Sequence, residues 1–137
     1  MAIDIQAISG AMSVVVLALT AAYLAGLGAC ALLRPAWARR FLLGHASSPR
    51  LHCLELALRL LVGGALLVRA PAMPWPQAFT FVGWVLVGTT LVLALVPWRR
   101  HQAFAQRTVP QALRFLPLMG VASLGLGAGL FYAIGFG

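Results

Sequence analysis

Charge is scarce in this sequence, and what there is carries almost one sign. Of 137 residues only 9% are charged: ten arginines, no lysine, and two acids, Asp4 and Glu55. A soluble domain needs roughly a quarter of its residues charged to cover a water-facing surface. The shortage therefore excludes an ordinary soluble domain. Two acids fifty residues apart offer no carboxylate pair, and the chain has neither a nucleophile elbow nor a P-loop, so no enzyme is expected. With only two cysteines, Cys30 and Cys53, a disulfide framework is also ruled out.

Apolar sequence fills the space that charge leaves. The chain is 62% hydrophobic with a mean hydropathy of +0.96. A bilayer core about 30 Å thick needs roughly 20 apolar residues per helix at about 1.5 Å each. Four stretches meet that length, at about 10–33, 52–70, 77–97 and 112–136. Runs such as VVVLALTAAYLAGLGACALL and FVGWVLVGTTLVLALV are continuous and lack the alternation of a β-barrel. The expected fold is all-α: one integral membrane domain, residues 1–137, of four transmembrane helices.

The arginines orient these spans. Arg34, Arg39, Arg40 and Arg50 fall between the first and second, and Arg99, Arg100, Arg107 and Arg114 between or at the edges of the third and fourth. Short basic loops stay in the cytoplasm, which predicts both loops inside and both termini, with segment 70–76, on the periplasmic side. The net charge of +8 does not point to nucleic acid, because no folded basic face interleaved with aromatics accompanies it. The stretch LGAC at 27–30 resembles a lipoprotein cleavage box before Cys30. The residues ahead of it, MAIDIQAISG, carry an acid and no positive charge, so the segment is expected to persist as a helix. Cys30 and Cys53, near the cytoplasmic border, are expected to be reduced thiols.

A pattern occurs twice. Pro35, Trp37, Arg39, Arg40 and Phe41 correspond to Pro97, Trp98, Arg99, Arg100 and Phe104, and further on Leu58 and Arg59 correspond to Leu113 and Arg114. The first copy carries the extra stretch FLLGHASSPR. Two parallel repeats of one helical hairpin would give this pattern. Convergence gives it too: proline stops a helix, tryptophan anchors at headgroups and arginine holds a loop inside. Trp37, Trp98, Arg39, Arg40, Arg99 and Arg100 are interface anchors on either reading.

The phrases RPAWARRFLLGHASSPR, LELALRLLVGGALL and FVGWVLVGTTLVLALVPWRRHQAFAQ, with the closing glycine-rich helix, resemble a family of small four-span membrane proteins of Gram-negative bacteria. The first half alone also resembles a shorter two-span inner-membrane family, through GLG, Pro-x-Trp and the LR before GG. The resemblance implies a bacterial inner membrane and carries no known activity.

The only acid inside a predicted span is Glu55, and Arg59 follows four residues later, deeper in the same helix. An intramembrane charge costs on the order of 2.5–3.5 kcal/mol on insertion scales, which makes such residues functional candidates. Glutamate four residues before arginine is also the favourable order for an ion pair on one helix face. His45, His52 and His101 lie at the border or in loops, so no haem is expected. Cys30, His52 and Cys53 could approach one another but lack metal-ligand spacing, and neither metal nor other cofactor is expected. A lone Thr89 or Ser123 is expected to bond a carbonyl of its own helix. In the fourth span Ser123 and Gly127 form one small-xxx-small pair and Gly125 and Gly129 another, while Ala22, Gly26 and Cys30 form a similar ridge on the first. These ridges are expected to pack against protein. The functional expectation is an interaction or accessory subunit, surrounded by lipid and forming a homo-oligomer or part of a larger membrane complex. The alternative is a small homodimeric transporter or channel using Glu55 and Arg59.

Overall fold

The computed structural model describes residues 4–44 and 47–137; residues 1–3, 45 and 46, and with them His45, lie outside the described residues. Those described are helical throughout, without a strand: α1 (Ile5–Leu33), α2 (Pro35–Gly44), α3 (Pro49–Arg69), α4 (Pro76–Leu95), α5 (Trp98–Ala112) and α6 (Leu116–Gly135), with short 3-10 turns at Ala70–Ala72 and Leu113–Phe115. Four of these helices are long and apolar enough to cross a membrane. Their bounds follow local chemistry. The Asp4 carboxylate accepts from the Gln6 and Ala7 amides at 3.0 and 3.3 Å. This cap starts α1 at Ile5, more than a turn ahead of the residue 10 that apolar content alone marks. Ser48 Oγ accepts from the Leu51 amide at 3.3 Å ahead of Pro49. Pro35, Pro49 and Pro76 each open a helix, where a missing N–H costs nothing. Trp75, held between Pro74 and Pro76, caps α4 with φ 57°, the left-handed region that a bulky side chain rarely occupies.

The segments expected to be loops are helices instead. In α5, His101, Thr108 and Val109 are half-buried and Ala105 is buried, whereas Arg99, Arg100 and Arg107 are exposed. The i, i+4, i+7, i+8 spacing is one helix face, and arginine on the other face makes the segment amphipathic rather than unstructured. In α2 only Ala38 is buried, with Leu42 beside it; Arg39 and Arg40 are exposed. Each half of the chain therefore runs long helix, short amphipathic helix, long helix. The aligned arginines are nevertheless not equivalent: Arg59 sits inside α3, and Arg114 in the turn before α6.

The long helices associate in the order α6, α1, α3, α4, with the α1–α6 contact the most extensive. Buried positions on α1 are Ser13, Leu17, Ala21, Gly28 and Ala31, with Leu24 half-buried between them; on α6 they are Leu116, Gly120, Gly127, Leu130 and Ala133, with Ser123 half-buried. Both sets step by threes and fours, close to the 3.5-residue period of a coiled-coil seam. Small residues on the seam bring the backbones together. A Cβ on Gly28 would meet the Gly120 carbonyl oxygen at 2.6 Å and the Leu124 nitrogen at 2.7 Å, and one on Gly127 would meet the Ala21 oxygen and Ala25 nitrogen at 2.8 Å. Two apolar cores result. One joins Leu17, Ala21, Ala65, Leu66, Met73, Leu130 and Ala133; the other, at the arginine-rich end, joins Ala31, Ala38, Leu113 and Leu116.

Candidate functional site at the basic end of the bundle

Glu55 and Arg59 are one helical turn apart on α3, and the structure brings them together. Arg59 Nη1 lies 3.7 Å from Glu55 Oε1, with the side chains 31% and 28% exposed. Arg59 also reaches α4, donating from Nε to Thr90 Oγ1 at 3.1 Å and from Nη2 to Thr89 Oγ1 at 3.0 Å. The threonine hydroxyls pass their own protons back into α4, Thr90 to the Leu86 carbonyl at 2.6 Å and Thr89 to the Val85 carbonyl at 2.7 Å. Each hydroxyl thus serves as donor and acceptor at once. Thr89 bonds its own helix as expected, but its acceptance from Arg59 is a tertiary contact. Beyond this group α3 and α4 meet through glycine: a Cβ on Gly63 would stand 2.8 Å from Val87 Cγ2, and one on Gly83 2.9 Å from the Leu67 side chain.

One turn before Glu55, towards the start of α3, His52 is buried, 6% exposed, and its Nδ1 has no hydrogen-bond partner. Its ring faces that of His101 on α5, with centroids 4.6 Å apart and planes at 37°. One ligand atom from each of His52, Glu55 and His101 falls within 4.8 Å of the others. His52 and Glu55 are three apart on one helix face. Cys53, adjacent in sequence, points about 100° away and is exposed. Cys30 lies on α1, its thiol 4.0 Å from the Arg34 carbonyl oxygen. Both thiols are free, and neither joins the group of His52 among the described residues. The partner that the sequence reading missed is His101. The His52-x-x-Glu55 spacing was visible, but α5, read as a loop, offered no reason to return a histidine to α3.

The small-residue ridges divide. Gly127 and Ser123 face α1, and Ser123 Oγ donates to the Leu24 carbonyl across the seam at 2.8 Å rather than to its own helix. A Cβ on Gly125 or Gly129 would meet nothing within 4 Å, so their ridge faces outward. Gly26 is equally open. Ala22 is exposed too, because α1 meets α6 through Ala21, Ala25 and Gly28, one position round the helix. Gly26 and Cys30 instead line a shallow apolar groove of about 300 Å³ between α1 and α2, with Tyr23, Leu27, Trp37 and Phe41. Trp37, Arg39, Arg40, Arg99 and Arg100 are exposed and Trp98 half-buried, all at the same end of the bundle as His52.

Comparison with protein-family models, curated proteins and solved structures finds no match to this chain. The site stands on its own geometry.

Proposed function

We propose that this chain is a four-span protein of a bacterial inner membrane, both termini periplasmic, that acts as an interaction or accessory subunit through helix packing. The bundle's two ends support the orientation. One carries eight of the ten arginines with Trp37 and Trp98; the other carries Arg69, which donates to the Gly137 carbonyl at 2.9 Å, and Trp75 stacked on Tyr132, with ring centroids 6.5 Å apart, and Tyr132 packed on Phe136. Aromatic belts at both interfaces and an excess of arginine on one side are the signature of a positive-inside helix bundle. α4, with 20 residues, has the length of about 30 Å that a hydrocarbon core requires.

The observation that carries the subunit reading is the outward ridge of Gly125 and Gly129. Lipid gains little from a groove, and glycine lowers helix propensity by about 1 kcal/mol per residue. A second transmembrane helix, from another copy or another protein, fits that groove as α1 fits the inward one. The alternative of a small transporter or channel is less well supported, because Arg59 already has Glu55, Thr89 and Thr90 as partners.

The test is purification from native membranes in mild detergent, wild type beside Gly125→Leu/Gly129→Leu. A stoichiometric assembly lost in the double variant, with the chain still folded, is the expected result. A wild-type chain that runs as a monomer overturns the subunit reading. Reporter fusions check the orientation separately: a cytoplasm-dependent reporter should be active at residue 105 and silent at 137.

A further inference from the structure

We infer that His52, Glu55 and His101 form a binding site for a divalent transition-metal ion of the Zn²⁺ class, with three protein ligands and a fourth position open. The inference is independent of the subunit reading. Three observations meet here. Two imidazoles and a carboxylate, from two helices distant in sequence, place one ligand atom each within 4.8 Å of the others. His52 is more than nine-tenths buried, yet its Nδ1 has no hydrogen-bond partner. A buried, unsatisfied imidazole nitrogen costs free energy unless something binds it. Glu55, for its part, is already oriented by Arg59, as second-shell partners orient metal ligands.

Ligand chemistry narrows the ion. Two nitrogens and one carboxylate suit Zn²⁺ and its first-row neighbours, whereas Mg²⁺ and Ca²⁺ demand oxygen. Charge selects in the same direction. Arg99 and Arg100 directly precede His101, Arg50 lies two residues before His52, and Arg59 pairs with Glu55. In that positive surrounding a dication cannot be held by field alone. Its affinity must come from inner-sphere bonds to imidazole, which again excludes the hard cations. Tetrahedral Zn²⁺ with ligands at about 2.0–2.1 Å sets them roughly 3.4 Å from one another. The group therefore closes by at most somewhat over an ångström, within the reach of small rotations about the three side chains. Glu55 has two carboxylate oxygens, one for Arg59 and one for the ion. Binding would join α3 directly to α5, the helix that connects α4 to α6.

Titration of the full-length, metal-stripped protein in detergent with Co²⁺, followed by displacement with Zn²⁺, tests the site. A single Co²⁺ per chain should bind, with the visible bands of a four-coordinate nitrogen and oxygen site, and Zn²⁺ should abolish them. His101→Gln, at a half-buried position, should keep the fold and lower affinity at least roughly tenfold, which is what losing even an outer partner costs. Glu55→Gln should weaken binding similarly, and Cys30→Ser/Cys53→Ser should leave it unchanged. Folded wild-type protein that takes up no stoichiometric metal overturns the inference. So do undiminished affinity in His101→Gln and an intense near-ultraviolet thiolate band, which would assign the ion to cysteine.

Discussion

The α1–α6 and α3–α4 interfaces solve one problem, bringing two apolar helices together, in two ways. Along α1–α6 the approach is backbone on backbone: a Cβ added to Gly28 or Gly127 would meet main-chain atoms at 2.6–2.8 Å, and among the described residues no charge lies across the seam and its one side-chain hydrogen bond is Ser123 to the Leu24 carbonyl. Along α3–α4 a Cβ on Gly63 or Gly83 would first meet the side chain of Val87 or Leu67 at 2.8–2.9 Å, with the carbonyl of the facing glycine at 3.2–3.3 Å, and Arg59 reaches over to Thr89 and Thr90. A backbone cannot move aside, whereas a side chain can change rotamer. The first interface is therefore specified by the absence of atoms and the second by polar partners. Burial does not follow the same division: 22% of the apolar window is buried in α1, α3 and α6 alike, and only α4 stands apart at 11%.

The largest effect expected from breaking the contrast is at the seam. Gly28→Leu or Gly127→Leu forces α1 and α6 apart and should cost about 3 kcal/mol or more, the upper range of overpacking. Loss of the monodisperse peak in detergent chromatography would report it. Gly63→Ala should cost clearly less and be rescued in part by Val87→Ala, since the nearest obstacle is a methyl group. Equal losses at Gly28, Gly127 and Gly63 would erase the distinction between the two interfaces.

A smaller effect belongs to the polar group on α3. Arg59→Gln removes the tie to α4 and leaves Glu55 without its cation, at an expected cost of about 1–2 kcal/mol for partly exposed groups. Glu55→Gln should cost less, because both threonines still hold Arg59. The double variant should recover part of the summed loss. Thermal unfolding of all three in one detergent decides this, and strictly additive losses would remove the ion pair from the account.

The smallest effect is expected for Ser123→Ala. Its bond goes to a carbonyl already engaged within α1, and hydrogen bonds between membrane helices average about 0.6 kcal/mol. A loss above roughly 2 kcal/mol in the same unfolding assay would mean that the α1–α6 seam is held by polarity, as α3–α4 is.

Much of this molecule is local and could be read locally. The four long helices follow from apolar run length, and the Glu55–Arg59 pair from i, i+4 spacing. Arginine density in 98–112 misled, because charge was read as loop while the apolar face through His101, Ala105 and Val109 marks an amphipathic helix. The glycine ridges were visible as a set but not as a choice. A helix that is apolar all round has no polar face to set its rotation, so nothing within α6 distinguishes Gly127 from Gly125.

Hydrogen bonding within a turn and the length of apolar runs act over a few residues, so the sequence by itself determined the four long apolar helices and where the arginines concentrate, whereas helices α2 and α5 and the start of α1 at Ile5 came from the structure. The rotation of each helix depends on the partner it meets, and only the tertiary structure could decide it. That decision turned Gly28 and Gly127 inward and Gly26, Gly125 and Gly129 outward, sent the Ser123 bond to α1, and brought His101 from α5 to His52 and Glu55 on α3. Each of these pairs residues far apart in the chain, where short-range preferences carry no information.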